Sequence, residues 1–239
     1  MTAKIQDLLY DKYGKDIQLT PVKSGTNKEI YIITTQNDKF IILINKKKSL
    51  AKEYRAIMSN NLQKNLSLHG FNAPDVIDIF KIDGKTAYCH SYIEGHTVDK
   101  LDSKTAYLMG KTVSEFHVAA NLPPIISPSF SLLYRGIYLL KKSKTFMHNL
   151  CRSLSEPEWK NLPKGICHYD LNHNNFIFNN EKVFLIDYDR YRYWPYAYEL
   201  ARFLRNEENR KFADDFLQGY DSVRKLSNAE KKFLQECKY

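Results

Sequence analysis

Three oxygen-bearing side chains stand out for what they can do together: Asp170, Asn175 and Asp187. The first two lie in Gly165-Ile166-Cys167-His168-Tyr169-Asp170-Leu171-Asn172-His173-Asn174-Asn175-Phe176-Ile177-Phe178, the third in Leu185-Ile186-Asp187-Tyr188-Asp189. A carboxylate such as Asp170 can accept a proton. An Asn/Asp pair offers oxygen ligands to a hard cation such as Mg²⁺, which keeps several waters and is typically held by one or two carboxylates plus substrate phosphates. One carboxylate for an acceptor hydroxyl and an Asn/Asp pair for a metal are what phosphoryl transfer needs. Residue types alone leave a second reading equally open, a hairpin whose Asp and Asn residues cap turns.

The elements around these residues give them a plausible frame. A polar loop sits between apolar runs, Asn179-Asn180-Glu181-Lys182 reads as a tight turn, and Val183-Phe184-Leu185-Ile186 reads as a short buried strand. The three residues then fall on neighbouring strand ends and loops, where a rigid core positions exposed polar groups.

His168-Tyr169-Asp170-Leu171-Asn172-His173-Asn174-Asn175 resembles the catalytic loop of the aminoglycoside phosphotransferase and choline kinase-like families, within the protein kinase-like superfamily. Ile186-Asp187-Tyr188-Asp189 resembles their second motif, a strand ending in a metal-binding aspartate. The two come in the right order with a hairpin-sized gap. By this resemblance Asp170 takes the hydroxyl proton, Asn175 and Asp187 hold metal, and His168 holds the loop. The resemblance also implies an α+β fold of protein kinase-like form. A small N-terminal antiparallel β lobe with one helix (residues 1–92) would bind nucleotide, and a mainly helical C-terminal lobe (residues 93–239) would carry catalysis and the acceptor.

At 239 residues the chain can bury a real core. Its formal charge is +9, but the lysines are scattered, with Lys46-Lys47-Lys48 the one compact run. Without zinc-finger spacing or an arginine-rich tail, no nucleic-acid partner is expected. The four cysteines, Cys89, Cys151, Cys167 and Cys237, form no paired motif, as in a reduced, cytoplasmic protein. Cys167 beside His168 is no catalytic dyad, because adjacent strand residues point to opposite faces. Met1 to Tyr10 lacks the apolar core of a signal peptide, and no run approaches a membrane span.

In the N-terminal lobe, Lys4 to Tyr13 reads as a short helix ended near Gly14. Ile17 to Val22, Glu29 to Thr35 and Phe40 to Ile44 read as an antiparallel meander, with Pro21 at an edge or a strand end. Val76 to Phe80 and Thr86 to Tyr92 complete five strands around Asp83-Gly84. Leu50 to Leu62 has helical spacing. By the resemblance, Gly25, Thr26 and Asn27 belong to the nucleotide-covering turn. Glu53 is the helix glutamate that pairs with a strand lysine, and the nucleotide base hydrogen-bonds to backbone around Ser91, Tyr92 and Ile93. The sequence departs from the pattern at the lysine: Leu43 stands there, with Lys39 before the strand and Lys46 after it. Lys39 is taken as the replacement, with Lys46 as the other choice.

In the C-terminal lobe, Ser103 to Ala120 is the strongest helix, with Leu108, Val113, Phe116 and His117 near one face. Tyr138 to Leu154, Leu200 to Arg205, Phe212 to Tyr220 and Ala229 to Cys237 are further helices. Glu199 replaces the aspartate that the related families carry before this helix. Asp189, Tyr191, Tyr193 and Trp194 are expected at the acceptor site. Aromatic rings there suit a cationic amine, whereas Arg190 and Arg192 favour an anion. The reading is an ATP- and Mg²⁺-dependent phosphotransferase acting on a small-molecule hydroxyl, with choline or another amino alcohol as acceptor. The alternative, favoured by Leu43, is a weak or inactive kinase-fold scaffold.

Overall fold

The computed structural model describes residues 3–14, 16–22, 28–122, 161–180 and 182–237. Helix α1 (Ala3–Tyr13) ends at Gly14, whose φ of +92° suits glycine. Five strands follow: β1 (Gln18–Val22), β2 (Lys28–Thr34), β3 (Lys39–Asn45), β4 (Val76–Ile82) and β5 (Lys85–Ser91). They form one antiparallel sheet in the order β1-β2-β3-β5-β4. Pro21 lies in β1, an edge strand, where its missing N–H breaks no ladder on the open side.

The sheet has two different faces because strand side chains alternate. Tyr31, Ile33, Ile42, Ile44, Ile82, Ala87 and Cys89 pack with Leu9 of α1 and Ile17 to form the small core. The register places Lys28 opposite Asn45, Ile30 opposite Leu43, and Leu43 opposite Tyr88. Lys28, Ile30, Leu43, Asn45 and Tyr88 therefore share the other face, which looks toward the second lobe.

Helix α2 (Leu50–Leu68) crosses beside β4 and β5 and also packs on the 3₁₀ turn Tyr188–Arg190. It runs beyond the expected end at Leu62. Leu62 and Leu66 are buried in the core of the larger lobe, so tertiary packing extends the helix to the turn at Gly70. The connection to that lobe passes Gly95, where an added Cβ would lie 2.4 Å from the Phe178 carbonyl. That close approach allows His96 and Phe178 to exchange backbone hydrogen bonds of 3.0 and 2.8 Å.

The larger lobe is built on α3 (Ser103–Ala119), opened by a capping box in which Asp102 and Thr105 satisfy each other's backbone N–H. Strands β6 (Lys164–Cys167), β7 (Phe176–Asn179), β8 (Lys182–Leu185) and β9 (Arg192–Pro195) form two hairpin-like pairs, β6 with β9 and β7 with β8. Helices α4 (Tyr196–Leu204), α5 (Glu207–Arg210), α6 (Ala213–Asp221) and α7 (Asn228–Glu236) close the lobe. Helices α3 and α6 touch backbone to backbone. A Cβ on Gly110 would sit 1.9 Å from the Phe216 carbonyl, and one on Gly219 would sit 2.0 Å from the Tyr107 carbonyl.

This is the expected α+β arrangement, an antiparallel β lobe with its helix followed by a mainly helical lobe. Two differences are local. Arg192 to Pro195, given no element by the sequence, forms a strand, because it pairs with β6, a partner distant in sequence. Helix α4 then starts at Tyr196 rather than Leu200. The expected helix from Tyr138 to Leu154 lies outside the described residues. Among the described residues no helix is long and apolar enough to cross a membrane.

Candidate active site

Two non-glycine residues in left-handed conformation mark the two motifs: Tyr169 at φ +65° and Asp187 at φ +66°. Such backbone costs on the order of 1–3 kcal/mol and persists only where surroundings over-determine it. Here they do. The His168 ring bonds the Ile186 carbonyl at 2.8 Å, and the Ile186 N–H donates to the Asn175 carbonyl at 3.0 Å. Asn175 Nδ2 donates to the Asp170 carbonyl at 2.8 Å. Asn175 thus bonds Asp170 directly and, across the β7–β8 hairpin, holds Ile186, the residue before Asp187.

The carboxylates meet two cations. Arg190 Nη1 lies 3.3 Å from Asp170 Oδ1. Lys28 Nζ lies 3.2 Å from Asp187 Oδ1 and 2.7 Å from Asp189 Oδ2. The Lys28 side chain is only 14% exposed and its ammonium sits 5.3 Å from the Tyr88 ring centroid. Burial works against the charge on Lys28, but Tyr88, Asp189 and Asp187 together hold its affinity for the proton well above that of an ordinary lysine. Burial by itself would raise the Asp187 carboxyl. The Lys28 ammonium overrides that and keeps it below the usual range. Ser59 of α2 donates to Asp189 Oδ1 at 3.1 Å, which joins the helix to the site.

His90 on β5 pairs with Asn60 Oδ1 at 2.7 Å. Burial and the nearby Lys28 charge push it down from 6.5 to about 4. Because the folded value is depressed, the unfolded chain binds a proton that the folded chain refuses as pH falls. Stability from this group is fully present above 6.5 and is lost as pH falls through about 4. Urea unfolding should show the loss between pH 7 and 4, and His90→Gln should flatten that part of the profile.

Beneath the loop lies a buried network. Glu199 accepts from the His168 N–H at 3.1 Å, from the Tyr169 N–H, and from the His117 ring at 2.7 Å. The other His117 nitrogen bonds the Tyr220 hydroxyl at 2.8 Å. Burial would raise Glu199, but its bonds to His117 and the loop hold it low, while burial keeps His117 neutral. The donor atoms of His117, Cys167 and Glu199 lie within 4.8 Å of one another. They do not suit a metal: both His117 nitrogens and both Glu199 oxygens are engaged, and burial holds Cys167 as a thiol. The cluster positions the Asp170 loop.

The oxygen donors Asn175, Asp187 and Asp189 do fit a hard cation such as Mg²⁺. The Asn175 amide gives its N–H to Asp170, which leaves its oxygen for a cation.

Other expected site residues lie as follows. Gly25, Thr26 and Asn27 fall outside the described residues. Lys39 pairs with Glu94 at 3.0 Å and covers the Tyr92 ring at 4.1 Å, and Lys46 is exposed beyond β3. Glu53 pairs with Lys81 of β4. The Ser91 N–H is held by the Asp75 carbonyl and the Tyr92 N–H by the Lys39 carbonyl, whereas the Ile93 N–H has no backbone partner among the described residues. Trp194 is buried against Tyr169 and Tyr198, Tyr191 is half-buried, and Tyr193 is exposed. Arg192 and Arg202 lie 3.9 and 4.6 Å from the Tyr169 ring centroid. Lys28 is a site residue that the sequence does not announce, because it directly follows the Gly25-Thr26-Asn27 turn. The alternation along β2 was the available signal, but Ile30 to Ile33 is apolar on both faces and hides it.

The model of the phosphotransferase enzyme family matches residues 18–230. A homoserine kinase of Gluconobacter oxydans (strain 621H) is 26% identical, with 92% of this chain and 78% of that protein covered. One of Beijerinckia indica subsp. indica is 24% identical, with 91% and 75% covered. Among solved structures, an amicoumacin kinase in complex with AMP-PNP, Ca²⁺ and Ami gives a TM-score of 0.70 at 15% identity, covering 99% of this chain and 85% of that one. A spectinomycin phosphotransferase in complex with ADP and spectinomycin gives 0.66 at 16%, covering 99% and 84%. These last likenesses establish the protein kinase-like fold, and the family match establishes that the chain belongs to the phosphotransferase enzyme family.

Proposed function

We propose that the protein transfers a phosphoryl group from ATP, with Mg²⁺, to the hydroxyl of a small amino alcohol. The observation that carries the reading is the hydrogen-bonded frame in which Asn175 holds Asp170 and, with His168, holds Ile186 beside Asp187. Residues 1–92 form the nucleotide-binding lobe and residues 93–239 the catalytic and acceptor lobe. Ile93 and its neighbours hold the base, and Gly25, Thr26 and Asn27 cover the phosphates. Asp170 accepts the hydroxyl proton and orients the attacking oxygen. Asn175 and Asp187 hold the metal, with Asp189 beside them. The bound Mg²⁺ supplies charge neutralisation on the phosphates. Asp189, Tyr191, Tyr193 and Trp194 border the acceptor.

Arg190 beside Asp170, and Arg192 and Arg202 at Tyr169, put positive charge on the acceptor side. A quaternary ammonium is repelled there, while an acceptor carrying a carboxylate is attracted. The relatives named homoserine kinase favour the same class. Homoserine is therefore the first acceptor, and choline the comparison. The test is ATP consumption with Mg²⁺ against homoserine, choline, ethanolamine and an aminoglycoside. Turnover with homoserine, abolished by EDTA and restored by Mg²⁺, is expected. Turnover with choline alone would overturn the acceptor class. Leu43 in the strand favours a second reading, an inactive scaffold. Failure of all four acceptors together with no nucleotide binding would select it.

A further inference from the structure

The Lys28 ammonium is buried at the mouth of the proposed metal site, in contact with both Asp187 and Asp189. A divalent cation on those carboxylates and an ammonium within 3.2 Å of them cannot coexist unchanged. Like charges repel, and away from bulk water the repulsion is stronger than at a fully exposed surface. A lysine stem is long and flexible, so the ammonium can move by a few ångströms without the strand moving. When Mg²⁺ arrives it arrives with polyanionic phosphates, and these are the nearest new negative charge for a displaced ammonium.

We infer that Lys28, delivered from β2, is the phosphate-binding cation of this site, exchanging its contacts with Asp187 and the neighbouring Asp189 for the nucleotide's phosphates when Mg²⁺ takes Asp187. The inference rests on the proposed function. It also accounts for Leu43. The register puts Leu43 on the same face of the sheet as Lys28, on the adjacent strand and displaced from it along the ladder by one such position. A cation projecting from β2 covers the region that a cation at position 43 would cover, so an apolar residue there leaves the site its charge. Lys39 and Glu53 are engaged elsewhere, with Glu94 and Lys81 respectively.

The experiment is calorimetry of Mg²⁺ alone and of Mg·ADP with the full chain, for wild type, Lys28→Met and the double variant Lys28→Met/Leu43→Lys. Thermal melts establish that each is folded. Losing a charge-assisted contact to phosphate should weaken Mg·ADP about 10–100-fold in Lys28→Met. Mg²⁺ alone should bind that variant more tightly than wild type, because no ammonium competes for the carboxylates. The double variant should regain most of the nucleotide affinity, a result that general damage to the fold does not produce. Wild-type binding of Mg·ADP with an unchanged Lys28→Met affinity would overturn the inference and leave the proposed function standing. Wild type that binds no Mg·ADP and turns over no acceptor would sink the function, and this inference with it.

Discussion

Asp187→Ala should lower Mg²⁺-dependent turnover by about 10³-fold or more, since a catalytic metal supplies several kcal/mol of transition-state stabilisation and each 1.36 kcal/mol is tenfold in rate. Two changes are combined in that variant. It removes a carboxylate that faces Lys28, and it places alanine at φ +66°, which a side chain without a local hydrogen-bonding group tolerates poorly. Asp187→Asn separates them, because asparagine accepts the left-handed backbone but loses the charge. The Asn variant should melt closer to wild type than the Ala variant and still turn over slowly. Asp170→Asn should behave differently again. Its carboxylate is not among the metal donors, so Mg·ADP should bind normally while kcat falls by about 10²–10⁴-fold, the range for a lost general base. Steady-state kinetics and nucleotide calorimetry on the three variants decide the matter. Full activity in both Asn variants would remove the proposed mechanism.

The second large effect is on stability. Glu199→Ala should destabilise the fold by about 3–5 kcal/mol, because it removes a buried charged acceptor and leaves its donors unpaired. The arithmetic is local: the His168 and Tyr169 N–H groups and one His117 nitrogen all lose their acceptor in a site closed to water. Orphaned buried donors cost about 1–3 kcal/mol each. Against a total of about 5–15 kcal/mol for a typical domain, such a loss leaves little margin. Glu199→Gln preserves volume but turns a donor toward a donor on at least one of these bonds, so it should fall between. Urea titration of the three proteins checks the order. A Glu199→Ala variant within about 1 kcal/mol of wild type would mean that the network contributes little to holding the Asp170 loop.

The hub also shows what a local pattern can and cannot say. That Glu199 replaces an aspartate was visible along the chain, as was His117 in Ser114-Glu115-Phe116-His117. Their mutual bond, and the grip of Glu199 on the backbone of the His168 motif, joins three segments far apart in sequence. No periodicity reports such a contact.

By itself the sequence determined the family, the order of the elements, the five-stranded first lobe and the two motifs that carry Asp170, Asn175 and Asp187. These are legible because strand alternation, helical spacing and turn residues are short-range, and because the two motifs keep their own internal spacing. The tertiary structure alone decided which side chains share space. It set β9 against β6, turned α2 onto the second motif through Ser59 and Asp189, and brought Lys28 to Asp187 across 159 residues of chain. The resemblance places a strand lysine on β3, where Leu43 stands. The charge comes from β2 because two antiparallel strands present their side chains to one face. The ammonium beside Asp187 and Asp189 is set by which residues the sheet register brings to that face, a non-local fact.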